Sequence, residues 1–274
     1  MGISLKVLVE DTGSEHQALG KEHGLSVYVE TPQSRFVFDC GASGLSWRNA
    51  LLMGVKLTRV EFVVISHAHY DHAGGFPSLL ERVKIRRLYT GPGFWEEKFA
   101  AAPEGRKYTY LGAGFTASDL QDWQVEQNIC EDLLPLDDTA WLVGAFVRQE
   151  PMETIPARFV RGEEKRPDDF RDEICLVLRE GDGVALVTGC AHPGILNMVR
   201  TVHERLKLPV RRVVGGTHLK EASAERIERT LAALRGMGLC RMGLCHCSGD
   251  AVRERLAVDD VAGCSLGTGD LIEF

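Results

Sequence analysis

Short runs of β-branched and aromatic residues, punctuated by glycine and polar clusters, set the apolar pattern of this chain. Residues 5–10 read as a first strand through Leu5, Val7 and Val9. Runs at 25–30 and 35–38 flank Thr31-Pro32-Gln33-Ser34 and predict a hairpin. Buried strands are predicted at 60–65 and 86–90, and paired strands at 173–179 and 184–188 around Glu180-Gly181-Asp182-Gly183, a hairpin-type turn. Further strands fall at 210–214, 239–244 and near Ser265 and Leu271. Helices are predicted over 46–55, 76–83, 195–206 and 251–256, and over 223–235, where Ile227, Leu231 and Leu234 share one face. The polar, glycine-punctuated stretch 11–24 reads as a loop, and 91–172 as short strands within a long irregular excursion over one face. Two β-rich halves, each followed by helices, predict one α/β (α+β) domain over 1–274, a four-layer αββα sandwich.

The strand at 60–65 runs into Ser66-His67-Ala68-His69-Tyr70-Asp71-His72-Ala73-Gly74-Gly75, with three histidines and an aspartate within six positions. Side chains alternate faces in an extended chain, so His67, His69 and Asp71 are expected on one side, with His72 at the start of the next turn. Imidazole and carboxylate at this density are ligands for zinc, iron or manganese. A polar loop that is histidine-rich by chance is the weaker reading. Other histidines also follow apolar runs: His192 in Gly189-Cys190-Ala191-His192, His218 in Gly215-Gly216-Thr217-His218, and His246 after 239–244. A lone histidine is usually structural, but delivery of histidines from four strand ends points to one site. Cys190 and His192, two residues apart, share a side of an extended segment. Cys245 and Cys247 would then point away from His246, and are read as structural.

The H-x-H-x-D-H run resembles the signature of the metallo-β-lactamase superfamily. Glu22-His23-Gly24-Leu25-Ser26, Phe38-Asp39-Cys40-Gly41, Thr188-Gly189-Cys190-Ala191-His192, Gly215-Gly216-Thr217-His218-Leu219 and Cys245-His246-Cys247-Ser248-Gly249 follow in the order of one branch. That branch is related to the archaeal dihydropterin–ribofuranosylaminobenzene phosphate synthases and includes proteins known simply as metal-dependent hydrolases. The resemblance implies the αββα fold and two divalent metal ions, zinc foremost, with iron or manganese as alternatives. It assigns His67, His69 and His192 to one ion. Asp71, His72 and His246 fall to the other, with Cys190 standing where most members carry a bridging Asp. Cys190 is either a thiolate ligand or an inert buried thiol. Asp39 would support the metal loop from behind, and His23 would line the pocket. His218, which has no universal counterpart, is assigned to substrate binding or proton transfer, with Asp71 as the other catalytic candidate.

Composition narrows the function. A formal charge of −7 argues against a general nucleic-acid binder. No apolar run is long enough to span a bilayer, and residues 1–7 lack the basic start and apolar centre of a signal peptide. The chain reads as a cytoplasmic protein acting on a small molecule. Its eight cysteines are then expected to be reduced, with Cys40, Cys175, Cys240 and Cys264 as small core residues. Arg158, Arg161, Lys165, Arg166 and Arg171 either hold a substrate phosphate or form a solvated loop, the commoner case.

The ligand set implies a hydrolase in which metal-bound hydroxide attacks an ester, lactone or phosphodiester. The branch also suggests a transferase that joins a dihydropterin diphosphate to a ribofuranosylaminobenzene phosphate. A mononuclear iron oxygenase and a metal-binding protein without turnover complete the alternatives. The intact H-x-H-x-D-H set stands against the last of these.

Overall fold

Strand-forming runs assemble into two seven-stranded sheets in the computed structural model, which describes residues 2–13, 18–105, 107–258 and 262–274. The loop expected over 11–24 is thus described except at 14–17. From edge to edge the first sheet contains Leu271–Glu273, Ser4–Val9, Ser26–Glu30, Arg35–Cys40, Phe62–Val64, Arg87–Thr90 and Glu126–Ile129. The second contains Ala262–Ser265, Arg241–Leu244, Val210–Gly215, Gly183–Thr188, Cys175–Glu180, Ala140–Val143 and Leu133–Asp137. Alternation along each strand decides which face is shared. Phe36 and Phe38 meet Leu176, Leu178 and Val187 in the core between the sheets. Val37 and Cys40 turn outward beneath the helices Leu45–Leu52 and Phe76–Leu80. On the far side, Val177, Val184 and Leu186 pack under Ile195–Leu206 and Ala224–Gly236, the latter through Ile227, Leu231 and Leu234. Two sheets faced by two helical layers make the expected αββα sandwich.

The topology gathers the histidines. Gly183–Thr188, Val210–Gly215 and Arg241–Leu244 are mutually parallel, so their carboxyl ends lie at one edge of the second sheet. In the first sheet Phe62–Val64 is parallel to both neighbours and ends in the histidine loop. Crevices beyond the carboxyl ends of parallel strands are where α/β sheets place their sites.

The excursion is more ordered than its pattern suggested. Arg166–Pro167, Phe159–Arg161, Lys98–Ala101 and Tyr108–Tyr110 form a four-stranded sheet, and its Ala100 and Phe159 reach the cavity of the site. A buried ion triad anchors it: Lys98 Nζ lies 3.0 Å from Asp168 and 2.6 Å from Asp172. The other carboxylate oxygen of Asp172 accepts the Ala68 N–H, which ties the excursion to the metal-loop backbone.

One expectation about this framework is corrected. Cys240 and Cys264 are exposed, whereas Cys40 and Cys175 are buried as core residues. The basic residues of 158–171 do not act as a cluster. Arg161 and Arg171 both engage Glu96, Arg166 pairs with Glu164, and Lys165 lies over the Phe99 ring. Arg158 alone of the five lines the cavity, where it pairs with Glu221. Among the described residues no helix is long and apolar enough to cross a membrane.

Candidate metal centre

The segment after Phe62–Val64 does not stay extended. Residues 66–68 bend, and Tyr70–Ala73 forms one helical turn with His69 at its N-cap. This corrects the expected arrangement. Asp71 is not carried to the side of His67 and His69 by strand alternation, and His72 lies inside the turn rather than at its start. The turn divides the motif. His67 and His69 converge with His192, while Asp71 and His72 converge with His246, each set with its ligand atoms within 4.8 Å of one another. Gly75 allows the turn to lie against the backbone carbonyls of Cys40 and Ser43, where a Cβ would collide.

Hydrogen bonds fix which nitrogen each imidazole presents. Asp39 lies behind the loop, fully buried, and accepts the Ser66 N–H at 2.7 Å and the Ser66 hydroxyl at 2.8 Å. With that hydroxyl proton committed, Ser66 Oγ accepts from His67 Nδ1 at 2.9 Å. Asp39 Oδ2 also accepts from His72 Nδ1 at 2.7 Å. Glu173 Oε2 accepts from His192 Nδ1 at 2.8 Å, and Asp11 Oδ1 from His246 Nδ1 at 2.6 Å. All four rings therefore turn Nε2 inward. The buried Nε2 atoms of His67 and His246 have no hydrogen-bond partner. Buried ring nitrogens without a hydrogen-bond partner are costly unless something binds them, and imidazoles oriented through Nδ1 are what a divalent cation requires. The donor set fits a metal ion.

The remaining assigned residues border the same space. Cys190 Sγ is 3.3 Å from His72 Nε2. Asp71 Oδ2 is 3.3 Å from both His246 Nε2 and His23 Nε2, and His23 Nδ1 reaches Asp11 at 2.8 Å. With its side chain 51% exposed, His23 links the carboxylate to solvent. His218 packs against His192 and Phe159. A cavity of about 280 Å³ opens over this group, with Arg158, Lys220 and Glu221 also in its lining. Cys245 is core, as expected, but Cys247 is not turned away. Residues His246–Ser248 form a tight turn in which His246 has φ 52°, and this brings Cys247 back to the cavity. Positive φ also occurs at Asp39 (57°), Ala191 (61°) and His218 (50°). Conformations that disfavour side chains collect around the centre, as they do at functional sites.

Electrostatics separates the two histidine sets. Burial holds His69 down to about 3, and burial reinforced by neighbouring imidazoles keeps His67 and His192 well below the ordinary range. These rings are neutral and ready to ligate. At His246 burial opposes the charge, but the hydrogen bond to Asp11 and the nearby Asp71 carboxylate prevail and raise its proton affinity well above normal. Burial would likewise raise Asp71, yet His72 and His246 hold it below the usual carboxylate range. At neutral pH, then, His246 carries a proton that a cation must displace, whereas Asp71 is already ionised. Zinc uptake at neutral pH is expected to release about one proton or more per chain, with apparent affinity rising about tenfold per pH unit. Calorimetry in buffers of different protonation enthalpy measures the release, and a value of zero would contradict the assignment of His246.

A family profile described as Metallo-beta-lactamase superfamily matches residues 19–127. The 7,8-dihydropterin-6-methyl-4-(beta-D-ribofuranosyl)-aminobenzene-5'-phosphate synthase of Methanocaldococcus jannaschii is 26% identical, covering 90% of this chain and 88% of that protein. An uncharacterised protein of the same organism is 24% identical over 92% of this chain and 93% of its own length. The crystal structure of a metal-dependent hydrolase of the beta-lactamase superfamily superposes with a TM-score of 0.84 at 25% identity, covering 99% of each chain. The chain is similar in sequence and in fold to members of the metallo-β-lactamase superfamily. Against the superfamily pattern, the departure at Cys190 is real in space as well as in sequence, because its sulfur faces the second ligand set. Four residues around the candidate site escaped the sequence reading. Glu173 and Asp11 hold His192 and His246, Asp172 holds the loop backbone, and buried Glu10 accepts the His246 N–H at 2.6 Å. None lies within a recognisable spacing. Only the proximity of Asp11 to the first strand end, and of Asp172-Glu173 to a strand start, marked them.

Proposed function

We propose that this chain is a cytoplasmic metal-dependent hydrolase acting on a small molecule with an ester, lactone or phosphodiester group. The observation that carries the reading is the inward set of Nε2 atoms, each ring fixed through Nδ1 by a side-chain oxygen. His67, His69 and His192 would hold one divalent ion, and Asp71, His72 and His246 with Cys190 a second. Nitrogen, oxygen and sulfur donors together favour zinc, with iron and manganese as alternatives. Such ions, when bound, supply Lewis acidity and bring the pKa of a water they hold to about 7.

The chain's own side chains would do the rest. Asp71 Oδ2 is within reach of His23 Nε2, so a proton taken up at the carboxylate can leave through this half-exposed ring. His218, beside His192 in the cavity lining, can hold its ring proton toward a leaving group. Arg158 and Lys220 on the rim favour an anionic substrate, and Phe159 limits water over the His69–His192 side. Zinc-loaded protein assayed on phosphodiesters, lactones and carboxylic esters is expected to turn over at least one class, to lose it with a chelator and to regain it with zinc. Inertness of the fully loaded protein toward all three would count against hydrolysis.

One observation favours a second reading. The 26% identity to a protein named as a synthase extends over 90% of this chain. If this chain is a transferase, a dihydropterin diphosphate and a ribofuranosylaminobenzene phosphate supplied together would release diphosphate, and neither alone would.

A further inference from the structure

Two cysteines meet at the second ligand set. Cys190, His246 and Cys247 present two sulfurs and a nitrogen within 4.8 Å of one another. His72 Nε2 lies 3.3 Å from the Cys190 sulfur. His246, 2% exposed, makes no hydrogen bond through Nε2, whose nearest charge is Asp71 Oδ2 at 3.3 Å. The surrounding backbone is shaped for this approach. A Cβ on Gly216 would stand 2.5 Å from Cys247 Sγ and 3.2 Å from Cys190 Cα, so only glycine lets the two cysteine segments close on each other. The turn at His246–Ser248 supplies the other half of the convergence. Within the protein, Cys247 Sγ accepts the His218 N–H at 3.3 Å, a contact that a thiolate keeps, and its S–H donates to the Cys190 carbonyl oxygen at 3.3 Å, a bond given up when the thiol ionises on a metal.

We infer that the second metal position is a sulfur-rich site in which Cys190 and Cys247 both act as ligands with His246 and His72. Asp71 is then left to bond His23 or to occupy an additional coordination position. Two thiolates and two imidazoles are the donor set of a tetrahedral zinc or ferrous ion, and they discriminate against the hard cations magnesium and manganese. The inference rests on the metal-centre reading above and sharpens it. One edge of the site would select a soft or borderline cation, and the other, built of imidazoles alone, would not.

Cobalt(II) substitution tests the inference without recourse to turnover. Cobalt bound by thiolate absorbs in the near ultraviolet through sulfur-to-metal charge transfer, with intensity that follows the number of thiolates. The chain is titrated with cobalt while uptake per chain is followed by elemental analysis. A strong band is expected that falls to about half in Cys190→Ser and in Cys247→Ser and is absent from the double variant. Cys245→Ala, in the core, serves as a control that keeps the full band. Where serine disturbs folding, Cys247→Ala replaces it, with circular dichroism as the check. Cobalt uptake without the band, or a band untouched by the Cys247 variants, overturns the inference and leaves the metal centre standing. Failure to take up cobalt at all would overturn the metal-centre reading itself.

Discussion

His69→Ala is expected to abolish metal at the three-histidine position and with it any turnover, while the sandwich stays folded. His69 is buried among the rings of His67, His192, Phe159 and Phe170. Burial keeps it at about 3, so the imidazole is neutral and its removal strands no charge. What the protein loses without metal is packing, on the order of 1–3 kcal/mol for a truncated buried ring whose neighbours partly relax. What the metal loses is one of three protein ligands, and removing a mere supporting residue already costs about 10–100-fold in affinity. The effect on metal should therefore exceed the effect on stability by a wide margin. Elemental analysis alongside urea unfolding separates the two, and unchanged metal content in this variant would overturn the ligand assignment. The contrast with His246 is informative. His246→Ala removes a ring that is charged at neutral pH and sits between Asp11 and Asp71, so it leaves two carboxylates facing each other.

What the sequence disclosed and what it withheld have different physical origins. Strands and helices that bury one face declare themselves through period, and Ile195–Leu206 occupies the residues its spacing predicts. The converging histidines declare themselves by density and by their places after apolar runs. Strand alternation then misleads, because backbone at a site departs from regular geometry. The turn Tyr70–Ala73 relocates Asp71, and the positive φ of His246 turns Cys247 inward. The supporting carboxylates are harder still. Glu173 is 19 residues from His192 and Asp11 is 235 from His246, so their pairing exists only after the sheets assemble. A lone acidic residue before or after a strand carries no sign of this in the sequence. Asp39 differs because the superfamily resemblance pointed to it, and the structure gives the reason in three hydrogen bonds.

Those bonds make Asp39 the site of the other large effect. Asp39→Ala leaves the Ser66 N–H, the Ser66 hydroxyl and His72 Nδ1 without their buried acceptor. At about 1–3 kcal/mol for each of the three unsatisfied groups, the expected loss is roughly 3–9 kcal/mol, enough to threaten folding as well as metal binding. Asp39→Asn is the sharper instrument. Asparagine tolerates the φ of 57° at this position, and its single oxygen must be divided among three donors. The Ser66 N–H cannot reverse its role, so the amide oxygen is drawn to that side. The amide NH₂ then faces Ser66 Oγ and His72 Nδ1, where the hydroxyl can rotate and the imidazole can only change tautomer. Once Nδ1 becomes the acceptor, the His72 proton sits on Nε2, the atom that faces Cys190 and the second metal position. Asp39→Asn is therefore expected to cost only about 1–2 kcal/mol in urea unfolding but 10–100-fold or more in affinity at the second position. A variant that kept its metal affinity would mean that His72 does not ligate through Nε2, and the division of the H-x-H-x-D-H run between two positions would have to be redrawn.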